Sequence, residues 1–306
     1  MELFLVLFRQ LIVMMLFMVV GYFLYKGKKV TAETNSALSN LLLFAILPCA
    51  IVNSFLTERT AEKMTGLGHS FLLAVVALAV SICISLFVYK KQPAEQFGVA
   101  FSNVGFMGIP IITAAIGAEA VFYVASFVAL LNVLQQTFGV VLMSGDLKAV
   151  KPKKLLTIPV LIAMVLGILL FVTRFPVPQV VRSAVASLAA VNGPLAMVIL
   201  GVFFAQVDIK EIFTTKRYYH ISVMRLIIIP VITGLILWPL PGTPLIKLVA
   251  LTAAAAPIGS NVSIFAKMYG QDYKSATQEV CQSTIFAVIT MPAVVTLFSL
   301  LYGYAR

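Results

Sequence analysis

Charge is scarce in this chain. Only 11% of its 306 residues are Asp, Glu, Lys or Arg, against roughly 25% in an ordinary soluble domain. A folded chain so poor in charge lacks the polar surface that water requires, which excludes a soluble globular fold. Histidine and tryptophan are rarer still, with two and one. The three cysteines, Cys49, Cys83 and Cys281, lie in apolar stretches without CxxC or Cys/His spacing. That argues against zinc and dithiol chemistry, and the three are expected to be small core residues. There is no H-E-x-x-H, no G-x-S-x-G and no pair of aspartates within an apolar run. An enzyme is therefore not expected, nor a metal or organic cofactor.

What fills the chain instead is hydrophobic sequence, 61% of the total. Apolar runs of about 20 residues recur from end to end, each long enough to cross a hydrocarbon layer of about 30 Å. The runs are 4–25, 37–55, 69–89, 96–116, 121–144, 156–173, 184–205, 218–240, 244–267 and 275–303. The first opens at Met1-Glu2 with no basic flank and no A-x-A site, so it reads as a span and not as a cleaved signal. The expected fold class is an all-α integral membrane protein of ten transmembrane helices in the lipid bilayer. The formal net charge is +11, but the basic residues sit in short gaps between apolar runs. They form no single basic face, which argues against nucleic acid as a partner.

The same gaps predict orientation. Of the 22 Lys and Arg residues, fourteen fall in the loops after odd-numbered runs, and six fall on the other side: Arg59, Lys63, Arg174, Arg182, Lys247 and Arg306. Two, Arg9 and Arg225, lie inside runs. By the positive-inside rule the central linker is cytoplasmic and both termini are outside, in the plasma membrane. That linker, 146–155, divides the chain into 1–145 and 156–306, with five runs in each. Five is odd, so two alike halves must be inverted relative to each other, as in many secondary transporters. A short internal echo agrees: Gly117-Ala118-Glu119 and Gly270-Gln271-Asp272 each follow a run rich in Gly, Pro and Asn.

Those two runs carry the strongest signal. The fourth contains Asn103, Gly105, Gly108 and Pro110, and the ninth contains Pro257, Gly259, Ser260 and Asn261. Proline removes a helix hydrogen bond and glycine admits non-helical angles, so together they stop and restart a helix in mid-span. A restarted helix offers free N–H groups and the positive end of its dipole, which suits a carboxylate. Asn103 and Asn261 are expected to cap these ends, and the exposed carbonyls opposite suit a cation. These eight residues are the candidate substrate site for a small organic anion.

Other polar residues in the runs have two readings each. Asn132, Gln135 and Gln136 share a helix face and either line a cavity or bond between helices. Glu279, beside Gln278 and Gln282, either couples an ion or is solvated near a span end. A cation or proton exchanger built on Glu279 is the alternative function. Arg225 is expected to snorkel to the surface; otherwise it meets substrate or pairs with Glu279. His69, His220 and Trp238 are placed at interfaces.

The motifs from Asn103 to Pro110 and from Pro257 to Asn261, each followed by a Gly-x-acid turn, resemble the auxin efflux carrier family in its bacterial form. Leu47-Pro48, Arg225-Leu226 and Pro230 extend the resemblance along the chain. The resemblance implies a scaffold domain, a crossover domain and elevator-type alternating access. It also implies malate or another organic acid as substrate, Na+ or H+ as candidate coupling ions, and a homodimer as a candidate assembly. Plant members carry an Asn-Pro-Asn-like crossover and a long central loop; this chain has neither, which argues against auxin itself.

Overall fold

The computed structural model describes residues 2–304, less the side chain of Lys154. Arg306 and the Lys154 side chain, both counted above, lie outside the described residues. Each expected run is helical. Among the described residues, seven helices are long and apolar enough to cross a membrane: α1 (Glu2–Lys26), α2 (Ala32–Phe55), α3 (Ala61–Val88), α6 (Ala120–Ser144), α8 (Gln179–Gln206), α10 (Lys216–Leu237) and α13 (Tyr273–Tyr302). The fourth run is two pieces, α4 (Pro93–Ala100) and α5 (Val104–Ala115). The ninth is also two, α11 (Pro244–Ala255) and α12 (Asn261–Met268). The sixth is the shorter apolar helix α7 (Pro159–Thr173). A short surface helix, α9 (Ile209–Thr214), precedes α10.

The outward faces are apolar. Phe87, Leu300, Phe23, Phe44 and Ile289 are all at least 65% exposed. So much uncovered large hydrophobic surface is intolerable in water and natural against lipid. Cys83 lies on this surface and Cys49 is half-buried. Only Cys281 is the buried small residue expected of all three.

Helix ends follow local chemistry. The Thr31, Thr60 and Asp272 side chains accept N–H bonds from Thr34, Lys63 and Ser275, which caps α2, α3 and α13. The cap on α3 starts that helix eight residues before the apolar run, because its first two turns are polar. Three helices widen into a π-turn just before a proline: Leu42–Ile46 before Pro48, Val104–Gly108 before Pro110, and Met224–Ile228 before Pro230. A proline clashes with the carbonyl four residues back. In all three that carbonyl lies within the wider turn, which relieves the clash.

The first helix of each half packs on the second helix of the other: α1 along α8, and α7 along the last turns of α2. The α1–α8 contact is backbone on backbone. A Cβ on Gly21 would fall inside the radius of Val198 O, and one on Gly201 inside that of Met18 O. Small residues permit such approach between membrane helices. At the α7–α2 contact, Gly167 is covered by Phe55, whose ring meets those of Phe122 and Phe171 at steep angles. Gly201→Ala is expected to lower stability by about 1–3 kcal/mol through overpacking, seen as an earlier thermal midpoint in detergent. Gly68 faces open space, and Gly68→Ala should change stability by less than about 0.5 kcal/mol.

Candidate functional site at the helix crossover

The two interruptions meet. Between α4 and α5 the chain is extended at Phe101 (φ −114°, ψ 116°), and after α11 it is extended at Ala256 (φ −62°, ψ 148°). These stretches form an antiparallel bridge between Ser102 and Ile258. The Asn103 N–H donates to Pro257 O at 2.8 Å, and the Gly259 N–H donates to Phe101 O at 3.0 Å. Gly259 is needed there: a Cβ would sit 3.2 Å from both Phe101 O and Ser102 O, closer than nearly all real contacts.

A cavity of about 20 Å³ lies at the crossing, room for about one water. Its wall includes Ser102, Asn103, Gly105, Asn132, Gln135, Gly259, Ser260 and Asn261, with Leu43 and Leu47 of α2 opposite. Ser102 Oγ and Asn103 Nδ2 are buried there without a hydrogen-bond partner. Such orphans are costly to keep. Asn261 Nδ2 donates to Gln135 Oε1 at 2.9 Å, and Asn132 Nδ2 bonds its own helix at Val128 O. Asn103 stands at the N-cap of α5 but makes no side-chain cap bond, and Asn261 is the first residue of α12, with Ser260 in the cap position. The capping expectation is thus corrected. The Asn103 backbone N–H belongs to the bridge, and its side-chain Nδ2 has no partner.

Two larger cavities flank the small one, and α2 threads all three. Ala32, Asn35, Ser36, Ser39 and Leu43 line a cavity of about 760 Å³, shared with Phe203 and Gln206 of α8, Ser263 and Lys267 of α12, and Lys274 of α13. Leu43 and Leu47 line the central cavity. Ala50, Asn53 and Ser54 line a third, about 380 Å³, with Gln10, Pro110, Thr113 and Asn192. The large cavities thus lie toward opposite ends of α2. Lysines mark the first, on the side expected to be cytoplasmic.

Several candidates lie elsewhere. Gly108 packs against Val104 and Ala256, Pro110 borders the 380 Å³ cavity, and Pro257 contributes only its carbonyl to the bridge. Gln136 is half-buried outside the central wall. Gln278 accepts from Tyr218 Oη at 2.6 Å and donates to Glu211 Oε2 at 2.7 Å. Gln282 accepts from Ser222 Oγ at 2.8 Å and donates to Ile212 O at 2.7 Å. Both therefore tie α13 to α9 and α10, away from the wall of the central cavity. Glu279 is 2% exposed with Oε2 unpaired, so its solvated reading does not hold. It faces Gly98 of α4.

Arg225 neither snorkels nor pairs with Glu279. It is 1% exposed and bonds the carbonyls of Val99, Ala254 and Ala256. Its burial was invisible in sequence, because a long cationic side chain near a span end ordinarily reaches the surface. Sequence reasoning also missed Ser102, which adjoins the motif, and Glu95. Glu95 is buried on α4 and ion-paired with Arg217, one residue before the expected span. Asn192, also missed, donates to Gly105 O at 3.3 Å from α8.

This arrangement, a multi-pass helical membrane protein with paired breaks at a polar centre, defines a membrane transporter. The membrane transport protein family model matches residues 6–155 and 145–295, so the chain belongs to that family, the auxin efflux carrier family of the resemblance. A putative malonate transporter of Rhizobium meliloti (strain 1021) is 25% identical over 280 residues, covering 85% of each chain. Both point to a transporter of a small molecule rather than an enzyme. Gln278→Ala and Gln282→Ala should each cost about 0.6–2 kcal/mol of stability and leave the half-saturation concentration for substrate unchanged, as measured by melting in detergent and transport in vesicles.

Proposed function

We propose that this protein is a secondary transporter for a small organic anion of the carboxylate class, with malonate and malate as first candidates. The observation that carries this reading is the antiparallel pairing of two broken helices around the unpartnered Asn103 amide and Ser102 hydroxyl. Donors held out of water with no partner are a preorganised receptor for a carboxylate, and the positive ends of α5 and α12 reinforce it. The named relative supports malonate, and the absence of an acidic residue from the central wall suits an anion.

The architecture is read as ten spans in two inverted repeats, 1–145 and 156–306. Reciprocal packing of α1 on α8 and α7 on α2 supports it, as do the two family matches that meet at the linker. On this reading α1, α2, α7 and α8 are the scaffold, and the broken helices with α3, α6, α10 and α13 are the moving block. The small central cavity then meets the two large ones in turn, by elevator-type alternating access. Both termini lie outside the plasma membrane, and the scaffold offers the face for a homodimer.

One observation favours exchange of a cation or proton instead: the buried, unpaired Glu279 oxygen. Counterflow in proteoliposomes separates the two. Labelled malonate should exchange against unlabelled malonate or malate, and Asn103→Ala should raise the half-saturation concentration about 10–100-fold, the value of one hydrogen bond to a charged group. Proton or cation flux that ignores carboxylates and is lost in Glu279→Gln would replace the proposal with the exchanger.

A further inference from the structure

A broken membrane helix leaves carbonyls exposed at the end of its first half, and in secondary transporters such ends coordinate cations. Here two such ends converge. Val99 O, at the end of α4, loses its helix partner because the Asn103 N–H is given to Pro257 O. Ala254 O, at the end of α11, loses its partner because the Ile258 N–H is given to Ser283 Oγ at 3.2 Å. The bridge therefore orphans Val99 O, and the bond from Ile258 to Ser283 of α13 orphans Ala254 O.

One side chain takes them all. Arg225 donates from Nε to Ala256 O at 3.1 Å, from Nη1 to Val99 O at 3.1 Å and from Nη2 to Ala254 O at 2.5 Å. It comes from the π-turn of α10 that precedes Pro230. Among the described residues no carboxylate is ion-paired with it. A buried guanidinium without an acid partner needs another source of negative potential. Each helix C-terminus carries about half an elementary negative charge, so two ends supply about one, which matches one guanidinium.

We propose that Arg225 is a built-in counter-cation: it occupies the place at the crossover carbonyls that a coupling Na+ would hold, so that the substrate anion is carried with no alkali cation bound there. Arg225 is a positioning residue. It fixes both half-helices to α10 and leaves only their partners' positive ends facing the central cavity. The inference rests on the transporter reading above, and its primary test does not need a substrate.

Thermal midpoints are measured in detergent with NaCl or N-methylglucamine chloride at equal ionic strength, for the wild type and for Arg225→Gln, which keeps amide donors and removes the charge. The wild type should be indifferent to Na+. The glutamine variant should melt earlier and regain about 2–4 °C in Na+, because the carbonyls are open to an ion again. In proteoliposomes, wild-type malonate counterflow should change less than twofold when Na+ is removed. Arg225→Gln counterflow should fall at least about tenfold and recover in part with Na+ or methylguanidinium. A wild type that requires Na+ for stability or counterflow overturns the proposal. So does an Arg225→Gln protein as stable and active as the wild type with no response to Na+. If Arg225→Gln does not fold, Arg225→Lys decides: its retained cation should preserve folding and Na+ indifference, and a Na+-stimulated lysine variant overturns the proposal. No wild-type counterflow of any carboxylate, with the Na+ pattern of melting as expected, would count against the proposed substrate and leave the counter-cation in place.

Discussion

Backbone amides and carbonyls kept from water must be satisfied within the protein, and the centre of this molecule is organised by that requirement. The chain leaves the helix at Phe101–Asn103 and again at Ala256–Ser260. Each break would strand polar backbone groups in an apolar interior. The Ser102–Ile258 bridge pairs some of them with each other, and Arg225 collects the carbonyls that the bridge leaves over. Each break supplies hydrogen-bond partners to the other, so the two halves of the chain are joined where both leave the helix.

The same economy explains why free polar groups appear where they do. The backbone of Asn103 is used in the bridge, and its side chain, at the start of α5, makes no cap bond and keeps an unpartnered Nδ2. Asn261 is instead tied to Gln135 on α6, which fixes one wall of the central cavity while Ser102 and Asn103 stay unpartnered on another. The polar residues of α13 divide likewise: Gln278 and Gln282 are consumed in holding α9 and α10, while Glu279 keeps one oxygen unpaired against α4. Polarity at membrane depth therefore has two uses here, and only the unsatisfied groups are candidates for ligands.

Much of this was legible in the sequence. Apolar runs located the helices, because hydrocarbon thickness sets their length. The coincidence of Gly, Pro and Asn in the fourth and ninth runs located the breaks, because these residues cannot continue a helix quietly. Five of the central-cavity residues, Asn103, Gly105, Gly259, Ser260 and Asn261, were identified in this way, and Asn132 and Gln135 by their shared helix face. The misses share a cause. Arg225 was placed by its position along a span and Glu95 fell just outside the expected one, both one-dimensional measures, yet Glu95 pairs with Arg217 and Arg225 with two helix ends distant in sequence. Gln278 and Gln282 resembled cavity residues because a sequence shows that a side chain can bond but not that it is already bonded.

The sequence by itself determined that the chain is an all-helical membrane protein, where its helices run and which two of them break, since propensity and solvent preference are local properties of residue type. The tertiary structure alone decided that the breaks pair antiparallel, that Arg225 closes their carbonyl ends, and which amides stay free. Those outcomes depend on which donors reach which acceptors across distances of up to 158 residues in the chain, from Phe101 to Gly259, and hydrogen bonds are allotted by proximity in space.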